Sequence, residues 1–217
     1  MRDRIEKSSD ATTAPFWPPK PGGLWSWVLT PLHRYVLHRH HGIAEVIVRG
    51  MEHLHAPAKD DGILICPNHS YTGDGSVMLE VGRRAPRPFY IMAAYHVFQG
   101  HGGFDGFCLQ RMGGFSIDRE GCDRRAIRTA TELLASGKAL VIFPEGEIYH
   151  TNERLTPLRE GVAFMAVTAQ RDLEKSGSSA RVWAVPVGID YAFVDDVMPA
   201  LETAMAQLES RVVLRPK

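Results

Sequence analysis

In the stretch Asn68 His69 Ser70 Tyr71 Thr72 Gly73 Asp74, a histidine and a carboxylate stand with four residues between them. Imidazole changes charge near neutral pH, so it can take a proton from a hydroxyl and return it if something holds the ring in one tautomer. Asp74 is placed to be that holder. The apolar run Gly62 Ile63 Leu64 Ile65 Cys66 before the pair reads as a buried strand, and Gly75 to Arg83 reads as a helix. A turn between them can fold the carboxylate back onto the ring nitrogen that faces away from a substrate. That is the base and orienter of a triad without a protein nucleophile. The competing reading is two ordinary turn residues, since Asn, Asp and Gly commonly form turns.

Three further segments follow in order: Gly113 Gly114 Phe115 Ser116 Ile117 Asp118 Arg119, then Phe143 Pro144 Glu145 Gly146 Glu147, then Val185 Pro186 Val187 Gly188 Ile189. The second closes an apolar strand at its C-terminal end, where ligands gather in open α/β sheets. There Glu145 can accept hydrogen bonds from hydroxyls of a ligand, and Gly146 lets a backbone or ligand come close. Read alone, it is a strand-ending turn. Together with His69 and Asp74 the segments resemble the four sequence blocks of the glycerolipid acyltransferases, over roughly Gly50 to Tyr191.

That resemblance implies His69 as general base and Asp74 as its orienter. It implies an acceptor site at Arg119, Glu145, Gly146, Gly114 and Phe115, with Arg119 gripping a phosphate through its planar fork of donors. Val185 and Pro186 would belong to the acyl-binding region. It implies no cofactor and no metal. Acyl-CoA or acyl carrier protein is the co-substrate, and a lysophospholipid, lysophosphatidate first, is the acceptor, met at the cytoplasmic face of a membrane by a peripheral, monotopic protein. After Gly146 the family's commonest form continues with Thr, Arg and Ser, whereas Glu147, Ile148 and Tyr149 stand here. That departure favours a second acceptor class, another lysolipid such as lysophosphatidylglycerol or the lyso form of an amino-acid lipid. A lipid hydrolase would display Ser in a G-x-S-x-G elbow, and the chain has none. A lipid-binding protein without catalysis would lose the His or the Asp.

The composition sets the frame for these groups. With 217 residues, 44% of them hydrophobic, the chain can bury one sizeable core. Its formal net charge is +0, which provides no global field for nucleic acid. Cys66, Cys108 and Cys122 lack metal spacing and fit a reducing compartment. Met1 to Gly23 reads as an irregular arm without a secretory signal. Leu24 to His41 reads as a helix with a broad apolar face, too short and too interrupted by Pro31 and charges to cross a bilayer. Trp17, Trp25 and Trp27 lie in or just before it, and Trp prefers membrane interfaces, so the helix reads either as a membrane-interface anchor or as packed on the core. His38 to His41 reads as solvated basic residues at a helix end and not as a metal site.

The elements that must position the site alternate. Strands are expected at Ile43 to Val48, Ile63 to Cys66, Phe89 to Met92, Phe115 to Ile117, Ala139 to Phe143 and Val182 to Val187. Helices are expected after Asp74, from Arg124 to Ser136 and from Leu158 to Arg171, with a loop through Gly100, Gly102, Gly103 and Gly106 and an amphipathic stretch from Pro199 to Val213. Arg124, Arg125 and Arg128 on one helix either meet the phosphates of a coenzyme A or simply solvate an outer face. The expected fold is α/β: a single domain at 43–217 with a mixed, largely parallel sheet covered by helices, preceded at 1–42 by the arm and an N-terminal amphipathic helix. A native chain continuing past Lys217 is compatible with this reading.

Overall fold

The computed structural model describes residues 14–152 and 154–211, apart from the side chains of Ser26 and Trp27. Most of the expected arm, the Trp27 indole and the last residues of the Pro199 to Val213 stretch therefore lie outside the described residues.

In chain order the elements are α1 (Gly23–Tyr35) with a π-helical turn (Val36–His40), α2 (Glu52–His55), β1 (Gly62–Pro67), α3 (Asp74–Arg84) and β2 (Phe89–Ala94). A 3-10 segment (Tyr95–Gly103), α4 (Phe104–Arg111), β3 (Gly114–Ile117), α5 (Arg124–Ala135), β4 (Ala139–Val141), α6 (Glu160–Lys175), β5 (Val182–Val187) and α7 (Met198–Arg211) follow. The five strands form one sheet in the order β3-β2-β4-β1-β5. Every pairing is parallel, so the expected mixed sheet is an all-parallel one.

A parallel sheet needs cover on both faces, and the alternation along each strand supplies it. Ile63, Ile65, Phe89, Ile91, Ala139 and Val141 point to one face, against Val77, Met78 and Val81 of α3 and Leu37. Leu64, Met92, Phe115, Leu140 and Ile142 point to the other, against Ala130 and Leu134 of α5 and Val162, Met165 and Ala169 of α6. Asp123 caps α5 by accepting from the Arg125 and Ala126 N–H groups, each at 3.1 Å.

Two expected elements differ. Ile43 to Val48 is not a strand. Ile43, Val46 and Val48 pack on the first core cluster while Ile47 faces solvent, but the Val46 carbonyl accepts from Arg84 Nη1 at 2.9 Å and not from a neighbouring strand. An apolar run reports which side chains meet the core, not whether the backbone is paired. The expected glycine loop holds at Gly100, Gly102 and Gly103, whose backbone is non-helical, and fails only at its end. Gly106 lies inside α4, where a Cβ would come within 2.4 Å of the Phe98 carbonyl oxygen, so this glycine serves close packing and not a turn.

The N-terminal helix carries apolar residues on two faces. Leu29, His33 and Leu37, at four-residue steps, are buried toward the domain. His33 Nε2 donates to the Ser76 carbonyl of α3 at 3.0 Å. Burial lowers the His33 pKa, which keeps the ring neutral in this contact. Leu24, Val28, Leu32 and Tyr35 lie exposed on the other side. Trp25 is not a free anchor: its ring meets Phe107 edge-on at 5.2 Å, with the Arg111 guanidinium 5.7 Å away.

Candidate active site

Because all five strands run the same way, the loops after β1, β3, β4 and β5 collect along one edge of the sheet. These loops carry His69, Arg119, Glu145 and Tyr191. The chain leaves β1 into α3 on one face and leaves its neighbour β4 into α6 on the other, which opens a crevice between the two strand ends. His69 and Glu145 meet there.

Asp74 opens α3 and is fully buried. Its Oδ2 accepts from His69 Nδ1 and from the Tyr71 backbone N–H, both at 2.9 Å. A carboxylate that only accepts puts the imidazole proton on Nδ1 and leaves Nε2 with a free lone pair. The His69 ring keeps 18% of its side-chain surface open and stacks on Phe143 with centroids 4.1 Å apart. Phe143 therefore fixes the ring plane while Asp74 fixes its rotation. The spacing in sequence thus becomes a direct contact in space, with the geometry a general base and its orienter would need.

Glu145 is turned inward. It is buried, its Oε1 accepts from the His69 backbone N–H at 2.8 Å, and its Oε2 accepts from the Thr156 N–H at 3.2 Å and from the Thr156 hydroxyl. Both oxygens are occupied by the protein, so the carboxylate ties the loop after β1 to the chain leading into α6. Gly146 has φ +76, a conformation that favours glycine, and its carbonyl accepts from Arg119 Nη1. Arg119 Nη1 also lies 3.6 Å from Glu147 Oε1, with both side chains open to solvent. Arg119, Gly146 and Glu147 form one exposed cluster beside the crevice. A Cβ on Gly146 would come within 3.1 Å of Arg159 Nε, which brings a second guanidinium to the same turn.

The remaining expected site residues sit deeper or elsewhere. Phe115 is fully buried in the second core cluster, and a Cβ on Gly114 would come within 2.9 Å of the Leu109 carbonyl oxygen, so in β3 both serve packing and support the loop that presents Arg119. Val185 packs against the first core cluster, opposite Ile65, and Pro186 lies exposed on the edge strand β5, a position that tolerates proline. Arg128 pairs with Glu132 at 2.7 Å and Arg125 reaches the Ala14 carbonyl at 2.9 Å. Burial pushes the Cys66 thiol up to about 11, which leaves it protonated beside the site.

Sequence reasoning missed four polar partners. Asn68 clamps the Ile189 backbone, donating to its carbonyl at 3.0 Å and accepting its N–H at 2.6 Å. Asn152 does the same for Tyr191, at 3.0 and 2.9 Å. Thr156 holds Glu145, and Tyr191 donates its hydroxyl to Asp74 Oδ1 at 2.5 Å. Only Asn68, adjacent to His69, stood in a segment already marked by its residue types.

The sequence pattern of the acyltransferase family matches residues 45–190, which takes in His69, Asp74, Arg119 and Glu145 and ends one residue before Tyr191. The chain belongs to that family, the acyltransferases of glycerolipid metabolism. Among curated proteins no sequence match is found.

Proposed function

We propose that this protein transfers a fatty acyl group from acyl-CoA or acyl carrier protein to the free hydroxyl of a lysophospholipid, with lysophosphatidate as the first acceptor, at a membrane surface. The observation that carries the reading is the His69–Asp74 contact at 2.9 Å in the crevice at the C-terminal edge of the sheet. His69 Nε2 takes the proton of the acceptor hydroxyl as its oxygen attacks the thioester carbon. The oxyanion collapses, the C–S bond breaks, and the imidazolium returns the proton to the leaving thiolate. An ester and a free thiol result, and no acyl-enzyme is needed. Arg119 and Arg159, flanking Gly146, supply cations for an acceptor phosphate. A thiol-release assay with acyl-CoA and a panel of lysolipids tests the assignment; no release with any lysolipid contradicts it.

Arg119→Lys keeps the charge but loses the fork, so the acceptor KM should rise about tenfold while the donor KM stays the same. An unchanged acceptor KM would show that Arg119 only supports the turn at Gly146.

A second reading of the acceptor rests on Glu147. Its carboxylate already faces Arg119 at 3.6 Å, so a headgroup carrying its own cation meets a partner there that a phosphate monoester does not. This favours an amino-acid or other zwitterionic lysolipid, and the same panel separates the two.

No helix among the described residues is long and apolar enough to cross a membrane. The outer face of α1 supports peripheral attachment at the cytoplasmic face, with the segment before residue 43 as the membrane-facing part and the rest as the acyltransferase domain. Drawing a lipid wholly into water costs roughly 0.8 kcal/mol per CH₂ exposed, a cost that lying on the bilayer avoids. Replacing Leu24, Val28 and Leu32 with Ser spares the buried face and the Trp25 contact. The variant should sediment less with liposomes and slow on bilayer-embedded acceptor, with activity on a short-chain soluble acceptor retained. Wild-type sedimentation would place the anchor elsewhere.

A further inference from the structure

We propose that Tyr191 is the positioning residue of the His69–Asp74 pair: its hydroxyl holds the far oxygen of Asp74 and so sets how strongly that carboxylate draws on His69. The inference rests on the reading of His69 as general base. Asp74 is fully buried, and both of its oxygens must find donors there. Oδ2 has two, His69 Nδ1 and the Tyr71 N–H. Oδ1 has the Tyr191 hydroxyl. Each donor disperses some of the carboxylate's charge, and what remains is what stabilises an imidazolium on the other side.

The arrangement around Tyr191 makes it a fixed donor. Asn152, in the chain after β4, grips the Tyr191 backbone at both its N–H and its carbonyl, and the Tyr191 ring meets Tyr71 edge-on at 5.4 Å. The phenol thus arrives from the loop after β5, held by the loop after β4, on a carboxylate presented by α3. Burial first, and the Asp74 carboxylate second, push the Tyr191 pKa well above its ordinary value, so the hydroxyl stays protonated and only donates. The other titratable groups facing the pair are accounted for. Tyr71 donates its hydroxyl to the His41 carbonyl at 3.3 Å, away from Asp74. The His41 ring lies against Tyr71 at 6.0 Å, and burial, then His40, lower its pKa. Glu145 engages the His69 backbone from the β4 side, and Arg119 and Glu147 pair with each other at Gly146.

Tyr191→Phe keeps the ring and removes the donor. The carboxylate then holds an imidazolium more tightly, and the neutral base forms only at higher pH. The acid limb of kcat/KM in the purified protein should move up by roughly half to one pH unit, with about a three- to tenfold loss along that limb and thermal stability within a few degrees of wild type. Replacing Tyr191 with 3-fluorotyrosine, a stronger donor of nearly the same size, should move the limb the opposite way. Because the effect runs through Asp74, Tyr191→Phe should cost little further in an Asp74→Asn background. A limb that stays in place in both Tyr191 variants, or an equal loss with and without Asp74, overturns the proposal and leaves a packing role. If instead His69→Ala retains turnover, the reading of the base fails first, and that outcome is distinct from a Tyr191 variant whose profile overlays wild type.

Discussion

His69→Ala should lose acyl transfer by roughly a thousandfold or more while the protein stays folded. General-base catalysis by a positioned side chain contributes about 10²–10⁴ in rate, and here no other described group stands in the same place with a free lone pair. The ring is partly open at a loop and contributes little to the core, whereas its backbone N–H, which Glu145 holds, survives the substitution. Asp74→Asn should cost less than His69→Ala but still orders of magnitude. The amide can hold the ring, yet it favours the wrong tautomer and stabilises an imidazolium poorly. Steady-state rates beside a circular-dichroism melt check both. A folded His69→Ala protein with near wild-type turnover would remove the general base from the mechanism.

Glu145→Gln should fail for a different reason, and nearly as badly. Both Glu145 oxygens face backbone N–H groups, Oε1 that of His69 at 2.8 Å and Oε2 that of Thr156 at 3.2 Å. Either orientation of a glutamine amide sets its NH₂ against one of those donors. A substitution that is isosteric elsewhere therefore leaves a buried N–H facing another donor, at a cost of about 1–3 kcal/mol. For a chain of this size that is several degrees of melting temperature. Activity should fall about a hundredfold, since the displaced loop is the one that carries His69 and small misplacements of a catalytic group are expensive. Wild-type melting and turnover in Glu145→Gln would mean that the carboxylate is no more than a turn residue.

Much of this arrangement was legible in the sequence, and the limits are physical. Five of the six expected strands form because apolar runs such as Ile63 to Cys66 must be covered on both faces, and burial leaves that trace in residue type alone. Ile43 to Val48 carries the same trace without the pairing: the Ile43 backbone bonds to Leu37 and His38, and the Val46 carbonyl to Arg84 of α3. The His69–Asp74 contact was legible because both partners lie within one turn. Asp74 and Tyr191 are 117 residues apart, and Tyr191 follows its segment with nothing in its type to mark it. The place of Glu145 at the strand end was legible but not its direction: a motif names the residue, while burial and the Thr156 donors decide where its oxygens point. The N-terminal helix packs one face on the domain and leaves the other exposed, so periodicity alone could not separate its two readings.

The most direct test is the product balance of one reaction: purified protein, isotopically labelled acyl-CoA and lysolipid, followed by mass spectrometry of both acyl products. Direct transfer with His69 as base predicts one labelled diacyl lipid for each thiol released, no labelled free fatty acid above background, and loss of both products in His69→Ala. Thiol release matched by free fatty acid, with no acylated lipid, would contradict it and make the protein a thioester hydrolase.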